Sequence, residues 1–253
     1  MAHALNVASS VLTSTLALWR GSSSFKPAGT RPEQLLTLYE FEGCPYCRML
    51  RSALSEMDLD VLIQPCPKNG KRFRPVAKTL GGKAQFPFLH DTNTGARLYE
   101  SRDIADYLAK TYDGRAIANR GLTRSLNLGA SMLASASRPA RGMRARPSKA
   151  PDQPLELYSF ESSPYSRLVR EVLCELELPY ILRNTAKARW TDMGPPSFRD
   201  QLFKGPKDTS RNRIALLERT GKVQVPYLID PNTGIEMYES AAIIYYLEKT
   251  YAA

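Results

Sequence analysis

Short apolar runs and amphipathic stretches follow one another along this chain twice, in the same order. Leu35 to Phe41 and Leu155 to Phe160 have the length and composition of strands, and each stops at a turn containing proline. Behind them, Leu50, Ala53, Leu54 and Met57, and likewise Val169, Val172, Leu173 and Leu176, fall at the spacing of one helix face. A second strand is predicted over Asp60 to Gln64 and over Tyr180 to Arg183. A variable stretch then leads to a strand ending at Asp91 or Asp230. An Asn-Thr-Gly hairpin turn, a last short strand and a closing helix from about Ser101 or Ser240 complete each unit. Strand, helix, strand, strand, strand and helix in this order predict an α/β fold with a mixed sheet flanked by helices.

The two units are copies. Leu38-Tyr39-Glu40-Phe41-Glu42-Gly43-Cys44-Pro45-Tyr46-Cys47-Arg48 realigns with Leu157-Tyr158-Ser159-Phe160-Glu161-Ser162-Ser163-Pro164-Tyr165-Ser166-Arg167. Phe86-Pro87 answers Val225-Pro226, Tyr99-Glu100-Ser101 answers Tyr238-Glu239-Ser240, and Thr111-Tyr112 answers Thr250-Tyr251. So many ordered matches mean a duplication. The organisation read from this is an N-terminal extension over residues 1–32, one copy over 33–113, a linker over 114–151 and a second copy over 152–253. Copy two holds about twenty extra residues before Pro226. They include Trp190, Pro195, Pro196 and a basic patch at Lys204, Lys207 and Arg211, read as a surface loop with a helix from Ser210 to Thr220.

Composition adds a globular character, with 43% hydrophobic residues, and a formal charge of +10. No run reaches the roughly 18 apolar residues of a membrane-spanning helix. The charge is local. Between Asp113 and Asp152 there is no acidic residue, while Arg115, Arg120, Arg124, Arg138, Arg141, Arg144, Arg146 and Lys149 all fall there. That linker reads as a solvated tether with a helix over Leu122 to Ala136, able to touch anionic surfaces weakly but carrying no nucleic-acid motif. The stretch Met1 to Lys26 lacks acids. Leu5, Ala8, Leu12, Leu16 and Trp19 at helical spacing suit a packed amphipathic helix, and the composition also suits an organelle signal. Four cysteines make a poor disulfide framework, so a reducing compartment such as the cytoplasm is expected, with a plastid-type organelle as the alternative.

The chemistry concentrates at Cys44-Pro45-Tyr46-Cys47. A thiol reacts as thiolate, and Cys44 falls where a strand gives way to a helix whose unpaired N–H groups favour an anion. Pro45 suits the first helical turn, Cys47 lies on the same face to resolve a mixed disulfide, and Arg48 adds positive charge. Zinc would need two more ligands. Cys66, Cys174, His3 and His90 form no second close pair, so no metal is expected. Cys66 and Cys174 read as small core residues. Pro87 and Pro226 each open a strand, where a cis peptide could present the preceding backbone to an extended ligand. Ser101 and Ser240 are expected to cap their helices, whose N-termini also receive carboxylates.

With these residues in place, each copy resembles the N-terminal, thioredoxin-fold domain of glutathione transferases, over residues 35–112 and 155–251, and copy one also resembles a dithiol glutaredoxin. The resemblance implies two tandem thioredoxin-like domains joined by a basic linker. It implies Cys44 as nucleophile and Cys47 as resolving cysteine, with Tyr46, Arg48, Phe86, Pro87, Glu100 and Ser101 holding glutathione as co-substrate. A second glutathione site would involve Ser163, Tyr165, Val225, Pro226, Glu239 and Ser240, without disulfide exchange, since serines replace both cysteines. A full transferase continues into a large helical domain after this one, whereas only some 38 residues separate the two copies here. The leading expectation is therefore a glutathione-dependent thiol–disulfide oxidoreductase acting on mixed disulfides. The alternatives are a transferase or peroxidase, or a non-catalytic glutathione-binding or Fe–S carrier module.

Overall fold

The computed structural model describes residues 2–114, 122–193 and 205–253, the side chains of residues 2 and 122–124 excepted. Arg115, Arg120, Pro195, Pro196 and Lys204, and the side chain of Arg124, lie outside the described residues. Copy one runs β1 Leu36–Glu40, α2 Pro45–Glu56, β2 Val61–Pro65, α3 Arg74–Gly81, β3 Phe88–Asp91, β4 Ala96–Tyr99 and α4 Ser101–Leu108, the last prolonged by a π turn over Ala109–Asp113. Copy two repeats it with β5 Leu155–Ser159, α6 Pro164–Glu175, β6 Tyr180–Asn184, α7 Arg211–Thr220, β7 Tyr227–Asp230, β8 Ile235–Tyr238 and α8 Ser240–Tyr251. Ahead of the two copies lie α1, Ala2–Leu16, and α5, Leu122–Ala136. The fold is the mixed α/β arrangement expected. The helix at the end of the copy-two insertion starts one residue later than read, with Ser210 as its N-cap.

All eight strands form one sheet, ordered β4-β3-β1-β2-β6-β5-β7-β8. The seam between copies is β2 against β6, antiparallel, with Val61 opposite Leu182, Leu62 opposite Ile181 and Ile63 opposite Tyr180. Matched residues of the copies stand 119 apart here, so the ladder reads the same from either side. This is the isologous pairing of a symmetric dimer, made within one chain, and it leaves neither β2 nor β6 as an open edge. One apolar core follows the sheet across the seam, from Leu38, Leu50, Leu54 and Ile104 to Leu157, Val169, Leu173 and Ile243. The closing tyrosines also have a purpose: Asp91 Oδ2 accepts from Tyr107 at 2.6 Å and Tyr112 at 2.5 Å, and Asp230 accepts from Tyr246 and Tyr251 at 2.6 Å.

The N-terminal extension and the linker are one structural element used twice. Leu5-Asn6, Ser10, Leu12 and Arg20-Gly21 stand 121 residues before Leu126-Asn127, Ser131, Leu133 and Arg141-Gly142. Each arm crosses to the other copy: α1 packs on α6, and α5 packs on α2. The contacts match, with Ser10 Oγ donating to Pro164 O and Ser131 Oγ to Pro45 O, both at 2.8 Å. Behind each helix the chain passes through a left-handed glycine, Gly21 at φ 73° and Gly142 at φ 62°. A Cβ there would come within 2.8 Å of Glu161 Cβ or 2.7 Å of Glu42 Cβ, so glycine serves both the turn and the close approach.

Two expectations are corrected. The linker is not a solvated tether: Arg138 is buried and grips Glu171 with two 2.6 Å bonds, and Arg146 bonds Glu175 and Glu248. Of its described basic side chains, Arg141, Arg144 and Lys149 stay exposed, while Arg138 and Arg146 are withdrawn from any anionic surface into ion pairs. The N-terminal stretch is the helix expected but docks by its other face. Ser10, Thr13 and Ser14 are buried, while Leu5 and Leu12 are 71% and 52% exposed. Small hydroxyl side chains let α1 approach close enough to bond Pro164 O and Ser162 O, which a leucine stripe would prevent.

Candidate active site

β1 delivers the chain to the turn before α2, where Cys44 is the N-cap in extended conformation and its Sγ accepts from Cys47 N at 3.4 Å. Pro45 takes the first helical position, as expected. The hydrogen bond with the Cys47 side chain brings the Cys44 thiol down to about 7, against the opposing effect of burial. The N–H groups of Cys47 and Tyr46 and the charge of Arg51 add to it. Burial pushes Cys47 well up, reinforced by its bond to Cys44. Cys44 is therefore the thiol that ionises near neutrality. Cys66 and Cys174 are buried, and burial raises both.

Arg48 departs from expectation, and the thiol is covered. Cys44 is 4% exposed. The arm behind α5 lies over its turn, with Gly43 N donating to Gly142 O at 3.2 Å and Met143 packed where a Cβ on Gly43 would be. Copy two has Ser162 at that place, bonded to Ser22 and Ser14 of the other arm. Arg48 is drawn inward to Glu161 at 3.5 Å, and it is Arg51 that supplies positive charge to Cys44.

Under the site lies a buried ion network across the seam. Arg51 contacts Glu40, Glu42 at 3.1 Å and Glu161 at 2.8 Å; Arg170 contacts Glu42 at 3.1 Å and Glu161 at 3.2 Å. Arg51 with Glu161 and Arg170 with Glu42 are equivalent pairs under the internal symmetry. The sequence reading missed this network. Its signal was the retention of Glu42, Arg48 and Arg51 as Glu161, Arg167 and Arg170 on otherwise apolar element faces.

Phe86-Pro87 and Val225-Pro226 are both cis. The Phe86 ring meets Phe41 edge-on at 6.3 Å, with the Arg74 guanidinium 4.9 Å from its centre. Glu100 and Glu239, rather than Ser101 and Ser240, are the N-caps of α4 and α8, because they hold the non-helical backbone: φ 65°, ψ 118° and φ 69°, ψ 113°. No side-chain capping bond forms. A residue with a Cβ in that region is strained, and strain repeated at both matched positions points to a constraint from function. Each glutamate receives a bond from a glutamine two residues before the cis proline, Gln85 to Glu100 and Gln224 to Glu239. That glutamine is also present in both copies, and its recurrence at the matched position is the sequence signal for it.

Tyr46, Glu100 and Ser101 share the wall of a cleft of about 890 Å³ between α2, α4, α5 and the Arg20–Lys26 segment. Cys44, Cys47, Arg48, Phe86 and Pro87 do not line it. In copy two, Ser163 is buried and accepts from Ser166 N at 3.3 Å, while Tyr165 is half exposed. Arg167 turns to Ser10 O and Ser14 of α1, at 2.7 and 2.9 Å, instead of toward Ser163. His3 reaches Ser240 Oγ at 3.4 Å. The arm thus reaches the start of α8.

Residues 38–116 and 157–253 each match the model of the glutathione S-transferase N-terminal domain. No curated protein matches the chain significantly. Among solved structures, a trimeric glutathione transferase from Leishmania is similar at 14% identity over 87% of this chain and 68% of that chain, with a TM-score of 0.28. So loose a superposition carries no argument about function.

Proposed function

Because the chain belongs to the glutathione S-transferase N-terminal domain family, once in each copy, we propose that it is a glutathione-dependent thiol–disulfide oxidoreductase working through copy one. The observation that carries this reading is a cysteine pair in which Cys44 caps α2 with its Sγ 3.4 Å from Cys47 N, its thiol brought down to about 7, while Cys47 lies fully buried with its thiol pushed well up. The Cys44 thiolate attacks the glutathionyl sulfur of a mixed disulfide, and the other thiol leaves with a proton. The Cys44–glutathione disulfide is then opened by a second glutathione, or by Cys47. Tyr46, Glu100 and Ser101 offer a tripeptide an aromatic face and the N-terminus of α4, and the cis Phe86-Pro87 presents the Phe86 backbone just before β3.

The deciding measurement is reduction of hydroxyethyl disulfide with glutathione and, separately, with a thioredoxin-type reductant. Turnover with glutathione is expected; none with either donor would end the oxidoreductase reading. A transferase is the second reading, favoured by the cleft beside Tyr46, whose volume lies in the range of small-molecule sites. Conjugation of an aromatic halide faster than disulfide reduction would decide for it.

Both copies carry an arm, but a cleft of about 890 Å³ opens beside α5 in copy one, whereas in copy two His3 of α1 reaches Ser240 at the start of α8. Calorimetry on the full chain should therefore find one glutathione per chain, lost in Glu100→Ala and retained in Glu239→Ala. Two equal sites would mean that α1 yields to the ligand.

A further inference from the structure

Copy two is an internal control for copy one. Glu42, Arg48 and Arg51 recur in it as Glu161, Arg167 and Arg170, whereas Glu40, Cys44 and Cys47 are replaced together by Ser159, Ser163 and Ser166. The acid at position 40 thus accompanies the thiols. The ion network does not require it, because in copy two the equivalent guanidinium of Arg170 is satisfied at that place by the Ser159 hydroxyl, at 2.9 Å.

Its position is suited to the thiols. Along β1, Leu36, Leu38 and Glu40 share the face turned to α2, by strand alternation. On α2, Cys47, Leu50, Arg51 and Leu54 form the stripe turned to the sheet, all of them fully buried. Glu40, itself 1% exposed, contacts Arg51, one helical turn beyond Cys47. We infer that Glu40 is the proton acceptor for Cys47 when the mixed disulfide on Cys44 is resolved. This rests on the reading of Cys44 and Cys47 as an exchange pair.

The step balances without an outside oxidant. The Cys47 thiol gives its proton to the Glu40 carboxylate, directly or through one water. The resulting thiolate attacks Cys44 Sγ, the bond from Cys44 to the bound sulfur breaks as the Cys44–Cys47 disulfide forms, and the displaced thiolate takes a proton from solvent. A buried thiol that burial holds protonated needs such an acceptor. Burial also lifts Glu40 itself, to about 7, so its proton affinity is matched to neutral pH. The groups facing it are Cys44 at the N-cap of α2, Cys47 and Arg51 from α2, Glu42 from the turn after β1, Cys66 just after β2, and Glu161, Cys174 and Tyr180 from copy two.

The test loads Cys44 of the full chain with 2-mercaptoethanol as a mixed disulfide and, separately, with glutathione. Formation of the Cys44–Cys47 disulfide is followed by rapid quench and mass spectrometry. Glu40→Gln and Glu40→Ser should slow resolution of both adducts about a hundredfold near pH 7. The wild-type rise in rate through about pH 7 should disappear, and Glu40→Asp should recover part of the rate. The loss should exceed at least tenfold any loss of glutathione-driven turnover measured in a Cys47→Ser background. Glu40→Ser reproduces the arrangement of copy two, which keeps the test alive should Glu40→Gln unfold. Resolution at the wild-type rate in a folded variant, or an equal loss in the Cys47→Ser background, would overturn the assignment. If the 2-mercaptoethanol adduct depends on Glu40 while glutathione fails to react, the proton acceptor stands and the glutathione reading falls.

Discussion

Replacing Cys44 with serine should lower disulfide reduction by at least about a thousandfold, the scale of losing a covalent nucleophile. Cys47→Ser should retain turnover driven by glutathione and lose reduction of substrates that need two thiols. The difference follows from position: Cys44 is the N-cap of α2 and accepts from Cys47 N at 3.4 Å, whereas Cys47 lies fully inside. The thiolate fraction of Cys44 should rise with pH through about 7. Iodoacetamide labelling of the Cys47→Ser protein, read by peptide mass, would trace that rise once the changed neighbour is allowed for. Equal loss of activity in the two serine variants would refute the division of roles.

Glu161→Ala should be the most damaging single change to stability, at about 3–5 kcal/mol, because it strands buried positive charge. Glu161 meets Arg48, Arg51 and Arg170 at once. Burial would raise its carboxyl, but the charges of Arg170, Arg51 and Arg48 prevail and hold it at about 2. A depressed carboxyl contributes stability that is full above its unfolded value, near 4.5, and is lost as pH falls toward 2. Wild-type protein should therefore lose stability over that acid window, and Glu161→Ala should show a shallower loss there. Glu40 acts with the opposite sign, since its raised carboxyl disfavours the fold as pH climbs from about 4.5 to 7. Urea unfolding at pH 3, 5 and 8 would separate the two. Glu42→Ala should cost less, because Arg170 and Arg51 both keep Glu161.

Much of the site was legible because its parts are local. A Cys-Pro-Tyr-Cys run after an apolar strand places a thiol at a helix N-terminus whatever the rest of the chain does, and Cys44 is found there as N-cap. Phe86-Pro87 and Val225-Pro226 were legible as prolines in strand openings, and both are cis. Exposure was not legible, since it depends on Gly142 and Met143, which follow α5 and cover Gly43 from far along the chain. The capping role was misassigned for a finer reason: serine is the better N-cap side chain, but the strained backbone belongs to the glutamate before it.

Alternation of apolar and polar positions reports which side of an element is buried, and residue spacing reports a duplication. From these came the strands, the helices, the two copies and the chemical asymmetry between Cys44 and Ser163. Neither signal says which edge of a sheet meets which, or where an amphipathic arm docks. The β2–β6 seam, the exchange of α1 and α5 between copies and the ion pairs joining Arg51 to Glu161 and Arg170 to Glu42 connect residues far apart in the chain. Such contacts need two strand edges and two sets of complementary charges to meet, and only the tertiary arrangement brings them together. Burial then gives Glu40, Cys44 and Cys47 properties that their side chains do not have in water.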